Sequence, residues 1–329
     1  MQKIIISKSV ITYISQRGED KMLREQILPL FGERLREVIQ KENVDFLKLQ
    51  EIRLREQKPL IVYENGKEKV FQEIVTGREI REIVDRACGY SGYAFEEEIG
   101  RGYLTIAGGH RMGLAGSAVE QDGKIQTLIY LNGINLRVAR EVVGCANLLE
   151  DFVYEKEGIC HCLLISPPGG GKTTLLRDLI RNCSGGNENH QGVTVGVVDE
   201  RSEIAGTYRG EPGFDLGIRT DVLDGCPKVL GMEMLLRSMA PKVLAVDEIG
   251  SSDVESLKHA LFCGCKILAT LHGEGIEDFY RKPGFTSLIE EQVFDRYIVL
   301  ENGATPGTVA KIYGKNFEIL WEGEKCISN

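Results

Sequence analysis

The spacing of apolar residues changes its period along this chain. From Met22 to Lys41 they fall at Leu23, Ile27, Leu30, Phe31, Leu35 and Ile39, which predicts one helix with a buried face. Between Phe46 and Phe71 the spacing tightens to alternation around Glu64-Asn65-Gly66, predicting short strands and a turn. Residues 76–88 return to helical spacing, with Thr76 placed to cap the first turn. Residues 99–140, IGRGYLTIAGGHRMGLAGSAVEQDGKIQTLIYLNGINLRVAR, alternate again, and Asp122-Gly123 is a hairpin signal. Residues 1–20 are expected to form a loosely attached extension. Residues 1–145 thus read as an α+β domain.

Residues 146–329 follow a different rhythm. Strands are expected at 162–165, 193–198, 243–246 and 266–270, separated by helices at 173–182, 232–240 and 254–263. Strands alternating with helices build a mostly parallel sheet covered on both faces. The expected fold class is therefore α/β, with a smaller N-terminal α+β domain.

Composition narrows the function. A content of 42% hydrophobic and 27% charged residues belongs to a globular chain. No run approaches 18 apolar residues, so no membrane span is expected. The N-terminal stretch, broken by Lys8, Gln16 and Arg17, does not read as a secretory leader. A net charge of −9 argues against a general nucleic-acid partner, which requires a basic surface. The cysteines include two close pairs, Cys160/Cys162 and Cys263/Cys265. Without a second pair at zinc-site spacing, these read as buried structural cysteines in or near strands rather than as metal ligands.

The chemistry concentrates in ISPPGGGKTTLLRD, residues 165–178. This is the pattern G-x-x-x-x-G-K-[ST] with Ser166 at its first position. Such a loop points successive backbone N–H groups into one concavity at a helix N-terminus, where they hold phosphate oxygens. Pro168, Gly169, Gly170, Gly171, Lys172, Thr173 and Thr174 are the expected nucleotide contacts. Lys172 reaches the β- and γ-phosphates, and the Thr173 hydroxyl ligates Mg²⁺. Serine at the first position costs little unless the backbone there needs a positive φ. About 75 residues downstream, KVLAVDEIG is a buried strand ending in two acids. Asp247 is placed to hold Mg²⁺ through water, and Glu248 to activate the attacking water. VTVGVVDERSEIAG brings Asp199, Glu200 and Glu203 to the same sheet edge. ILATLHG ends in Thr270 and His272, placed to sense the γ-phosphate.

Phosphate loop, acidic strand end, Asp-Glu strand and T-x-H-G occur here in the order found in type II and type IV secretion and pilus-motor ATPases. The chain resembles in particular the sporulation branch of that superfamily, the stage III sporulation protein AA family. The resemblance rests on EEEIGRGYLTIAGGHRMGLAG, INLRVAREVVGCA, PPGGGKTTLLRDLIR, VVDERSEIAGTYRG, GIRTDVLDGCPK, LLRSMAPKVLAVDEIG and LATLHG. It implies a RecA-like P-loop ATPase with Walker A and Walker B motifs, working as a hexameric ring with ATP and Mg²⁺. The family's catalytic glutamate corresponds to Glu248, its acidic-box glutamate to Glu203, and its phosphate-sensing box to Thr270 and His272. Family N-domains supply arginines to a neighbour's γ-phosphate, which implies Arg137 here, with Arg111 as a weaker candidate. Gly250 stands where secretion motors carry an arginine. Arg209, Arg219 and Arg237 are possible replacements, or partners of Asp215, Asp221 and Glu233. The implied setting is cytoplasmic, on the mother-cell face of a membrane, with integral-membrane partners and no nucleic acid. Three other readings share parts of this pattern: a RecA-like nucleic-acid motor, a nucleotide-gated scaffold, and a small-molecule kinase. The acidic balance disfavours the first, Glu248 the second, and the lack of an arginine-rich lid the third.

Overall fold

The computed structural model describes residues 8–155, 158–301 and 307–323. It breaks the helix expected over 22–41 into two. Helix α1 (Lys8–Ile27) gives way to a 3₁₀ turn at Leu28–Leu30, and α2 (Glu33–Lys41) follows. Pro29 is the cause, because it has no N–H for the helical ladder and its ring crowds the preceding turn. Residues 1–7 of the expected extension lie outside the described residues. The rest of that segment lies in α1.

Packing divides the chain into two units. The first contains the described residues up to Arg140 together with Gly206–Gly213. Its strands β1 (Leu49–Arg55), β2 (Pro59–Glu64), β3 (Lys67–Ile74), β4 (Tyr103–Ile106), β5 (His110–Gln121) and β6 (Lys124–Arg137) form one antiparallel sheet, in the order β3-β2-β1-β6-β5-β4. Helix α3 (Gly77–Ala87) starts with a capping box, in which the Thr76 hydroxyl accepts from the Glu79 N–H and the Glu79 side chain returns to the Thr76 N–H. Asp122 (φ +53°) and Gly123 (φ +74°) turn β5 into β6, as two left-handed residues do in a tight hairpin. The core joins Ile27 and Leu35 from the helices, and Phe31 between them, to Ile52, Leu54 and Leu136 from the sheet.

Gly206–Gly213 belongs to this first unit although its neighbours in sequence do not. The Tyr208 hydroxyl donates to the Ala87 carbonyl (2.9 Å), and its ring stacks on Phe95. Arg209 donates to the Cys88 carbonyl (3.1 Å). It passes so close to Gly89 that a Cβ there would lie 1.6 Å from the guanidinium.

The second unit comprises Glu141–Ala205 and the described residues from Phe214 on. A short helix α4 (Glu96–Gly100) belongs to the first unit, and α5 (Glu150–Val153) with the hairpin β7 (Tyr154–Glu155) and β8 (Gly158–Ile159) opens the second. Its main sheet contains β9 (Cys162–Ser166), β10 (Val195–Asp199), β11 (Thr220–Asp224), β12 (Val243–Val246), β13 (Lys266–His272), β14 (Arg296–Leu300), β15 (Val309–Tyr313) and β16 (Ile319–Glu322). The order is β11-β10-β12-β13-β9-β14-β15-β16, parallel through β14 and antiparallel beyond. Successive strand residues enter opposite cores. Leu164, Val197, Ala245 and Leu268 pack with Leu175, Leu176 and Leu179 of α6 (Lys172–Gly185). Leu163, Val198, Leu244 and Ile267 pack with Met232 and Leu235 of α7 (Lys228–Ser238) and Leu257 of α8 (Val254–Phe262). Burial on both faces explains why these strands read as unbroken apolar runs. This is a RecA-like α/β core with a mostly parallel sheet. Among the described residues, no helix is long and apolar enough to cross a membrane.

Candidate active site

Doubly wound sheets bind ligands beyond the carboxyl ends of their strands. Here β10, β12, β13 and β9 are consecutive neighbours, and each of the four sequence signals sits at one of those ends. The phosphate loop leaves β9 at Ser166 and enters α6 at Lys172. Gly169 (φ +75°) and Gly171 (φ +90°) take the left-handed backbone that curls the loop.

Ser166 is fully buried at the end of β9, paired with His272 of β13, and its hydroxyl donates to the Pro167 carbonyl (2.9 Å). It stands in a strand, so the missing first glycine removes no required conformation. It does constrain Gly170, where a Cβ would come 2.2 Å from the Ser166 hydroxyl oxygen. Gly170→Ala should therefore distort the loop at a cost of about 1–3 kcal/mol, as overpacking does. In titrations with an ATP analogue, affinity should fall roughly 5- to 150-fold. Adding Ser166→Gly should recover most of it. Equal weakness of the single and double variants would refute this account of the loop.

Lys172 and Thr173 face the acids of the Asp-Glu strand. Lys172 is buried, and its ammonium is 2.7 Å from Glu248 Oε1. The Thr173 hydroxyl donates to Asp247 Oδ2 (2.6 Å), and the Thr270 hydroxyl donates to the other oxygen of Asp247. Arg201 closes the other side of Glu248, 2.8 Å from Oε2. Burial works to raise the Glu248 pKa, but the hydrogen bond and charge of Lys172, with the charges of Arg201 and His272, hold it below the ordinary carboxylate value. His272 is exposed at the end of β13, and its carbonyl accepts from the Lys282 ammonium (2.8 Å). Pro168 is exposed on the loop, and Thr174 lies one residue into α6 from Thr173.

The acidic segment after β10 divides its labour. The buried Asp199 carboxylate accepts the N–H groups of Glu203 (2.9 Å), Ile204 (3.0 Å) and Ala205 (2.8 Å). Burial pushes its pKa up to about 6, against the pull of the Ala205 and Ile204 N–H groups. Arg177 of α6 takes the carbonyls of the same loop, bonding Ile204 O and Glu203 O at 2.8 Å each. Asp199 and Arg177 therefore shape the loop, and Asp199 also borders the cleft lined by Glu200, Arg201, Glu203, Lys228, Asp247 and Glu248.

In the first unit, register places Arg137 of β6 directly across from Arg111 of β5 and from Glu51 of β1. Arg137 Nε lies 3.7 Å from Glu51 Oε2 with the side chain 67% exposed. The Arg111 guanidinium lies 3.8 Å from the Tyr103 ring centre. The possible replacement arginines behave differently from one another. Arg237 pairs with Glu233 (3.6 Å), as considered above, whereas Arg219 bonds the Ser184 carbonyl (2.8 Å) and Arg209 the Cys88 carbonyl, not the acids proposed for them. Gly250 is extended, and its N–H goes to Asp253 Oδ2 (2.8 Å).

Sequence reasoning missed Arg177, Arg201 and Lys228. Arg201 sits inside the quoted DERSE, and that adjacency was the available signal. The other two meet partners 19 or more residues away, which no local spacing reveals.

Comparison with known proteins bears on this arrangement. The family described as "Sporulation stage III, protein AA" matches residues 21–320. Stage III sporulation protein AA of Bacillus subtilis (strain 168) is 42% identical over 276 residues, covering 84% of this chain and 90% of that protein. Among solved structures, the pilus retraction motor PilT with bound ADP superposes with a TM-score of 0.55 at 16% identity, covering 83% of this chain and 77% of that one. The Legionella pneumophila ATPase DotB gives 0.50 at 17% identity, covering 80% and 74%. At such identities the structural likeness speaks for the fold.

Proposed function

This chain belongs to the sporulation stage III protein AA family, and from that premise we propose that it is an ATP-hydrolysing motor of the secretion-ATPase kind. The observation that carries the reading is the meeting of Lys172 and Thr173, at the start of α6, with Glu248 and Asp247, just past the end of β12, through side-chain contacts of 2.6–2.7 Å. A pure binding loop has no use for a carboxylate held beside the phosphate-loop lysine. The Thr173 hydroxyl and the Asp247 carboxylate are hard oxygen donors side by side, a set that suits Mg²⁺, which would neutralise charge on the β- and γ-phosphates. Lys172 moves from Glu248 to the phosphates when ATP enters. Glu248 then takes the proton of the attacking water, and Glu203 and His272 close the polar wall around the γ-phosphate.

The finer reading adds a ring of six copies in which Arg137 is given to the γ-phosphate of a neighbour. Its exposure and its light hold on Glu51 suit a guanidinium that changes partners. An arginine supplied in trans is worth orders of magnitude in turnover. The ring would act from the cytoplasmic, mother-cell face of a membrane, powering an assembly of integral-membrane proteins between mother cell and forespore.

The test is phosphate release from ATP per subunit as protein concentration rises, with Glu248→Gln as the blank. Specific activity should climb steeply and vanish in the blank. Arg137→Ala should lower turnover at least 100-fold while ATP-analogue binding by dilute subunits changes less than about threefold. Normal turnover by Arg137→Ala would refute the in-trans role. Activity no higher than the blank in the isolated chain would leave a nucleotide-gated scaffold, or a motor that needs its membrane partner.

A further inference from the structure

Lys228 breaks a local rule. It is the first residue of α7, where the helix dipole disfavours a cation. Its side chain is only 14% exposed, so it also surrenders most of its hydration. The compensation lies across the cleft. The ammonium donates to the Glu248 carbonyl at 2.7 Å and approaches the Asp247 carbonyl at 3.5 Å. It lies 3.5 Å from both Glu200 Oε2 and Asp253 Oδ2.

The carbonyl it holds belongs to a strained residue. Glu248 has φ +51°, a left-handed conformation uncommon and strained outside glycine. Such a residue persists only where its surroundings over-determine it. Here its N–H is fixed by the Thr270 hydroxyl (2.8 Å), the next N–H, of Ile249, by the Thr270 carbonyl (2.9 Å), and its C=O by Lys228. The turn that follows is closed by Asp253, itself within reach of Lys228. Thr270 thus holds one side of the strained peptide, and Lys228 holds the other.

We infer that Lys228 is a positioning residue for hydrolysis: it holds the Glu248 backbone in the left-handed turn that aims the carboxylate at the phosphate loop. The inference deepens the ATPase reading and rests on it for its kinetic consequences. Lys228 touches neither phosphate nor water in this role. It acts through the peptide of the base, so its loss should misdirect the proton acceptor without emptying the nucleotide site.

Lys228→Met keeps the length of the side chain and removes its hydrogen bonds and charge. Phosphate release at saturating ATP should fall 30- to 100-fold, with the ATP-analogue dissociation constant within twofold of wild type. Lys228→Arg keeps the charge near Glu200 and Asp253 and should recover a substantial part of the rate. A merely structural lysine would instead lower binding and turnover together, or melt the chain without this split. Crystal structures of both variants read the same point without any turnover. Glu248 should leave the left-handed region in Lys228→Met and keep it in Lys228→Arg. Should Lys228→Met not fold, Lys228→Met/Asp253→Asn removes one charge of each sign, so it keeps the charge balance and carries the same comparison. Glu248 retaining φ near +50° and its pairing with Lys172 after loss of the Lys228 bond would overturn the positioning role, whatever the rate. A wild-type chain that releases no phosphate under any condition would fail the ATPase reading alone, and the backbone comparison would still decide the role of Lys228.

Discussion

Lys172→Ala will lose ATP: its dissociation constant, measured by titration with a fluorescent analogue, will rise by about two to three orders of magnitude. Lys172 is buried, and it pairs with Glu248 at 2.7 Å. With ATP bound, the ammonium would pair instead with the phosphates, and truncating one member of a buried, hydrogen-bonded charge pair costs about 2–5 kcal/mol. At about 1.4 kcal/mol per factor of ten, that is roughly 30- to 4,000-fold. The same lysine serves both states, Glu248 without nucleotide and the phosphates with it. The fold should survive, because Glu248 keeps Arg201 at 2.8 Å and is itself partly exposed. A thermal melt near that of wild type, beside lost binding, is the expected pair of results. Wild-type affinity in Lys172→Ala would remove this loop from the nucleotide site.

Glu248→Gln will keep ATP and stop its turnover, lowering phosphate release about 10²- to 10⁴-fold, the usual worth of a positioned general base. The substitution leaves the main-chain bonds to Thr270 and Lys228 in place. It removes only the negative charge that pairs with Lys172 and Arg201. Binding should tighten slightly, since Lys172 no longer has to leave an ion pair. In the proposed mechanism the same pair would also regulate the base. While Lys172 stays, it lowers the Glu248 pKa against the raising effect of burial. When Lys172 turns to the phosphates, that lowering goes and burial remains, so Glu248 becomes the stronger base as the substrate arrives. Unchanged turnover in Glu248→Gln would transfer the role to Glu203 or Glu200, which line the same cleft.

Much of this site was legible in the sequence because it is local. Gly169, Gly170 and Gly171 sit in a strand-to-helix turn whose backbone needs them, and a loop of that kind is specified by adjacent residues. Asp247 and Glu248 end an apolar run buried on both faces, so the chain itself marks where the strand stops. Thr76 and Glu79 announce α3 by their spacing. The break at Pro29 was also available, but the regular apolar period over 22–41 hid it. The roles of Asp199 and Arg177 were not available. An acid at a strand end reads as catalytic, yet burial turns Asp199 toward backbone N–H groups. An arginine in TTLLRDLIR reads as a surface residue, yet Arg177 lies against the Phe214 ring and under the loop it holds. Both depend on which strand neighbours which, and sequence spacing does not encode that.

The membership of Gly206–Gly213 in the first unit has a consequence for anyone who wishes to study the two halves apart. No single cut in the gene separates them. A fragment beginning at Glu141 would carry Tyr208 and Arg209 without the carbonyls of Ala87 and Cys88 that they bond, and a fragment ending at Arg140 would lack the ring that stacks on Phe95. Clean dissection requires replacing the eight residues in the first fragment as a separate peptide, or bridging Ala205 to Phe214 in the second, where the Phe214 N–H already bonds the Ala205 carbonyl at 3.1 Å and marks the place for a short splice.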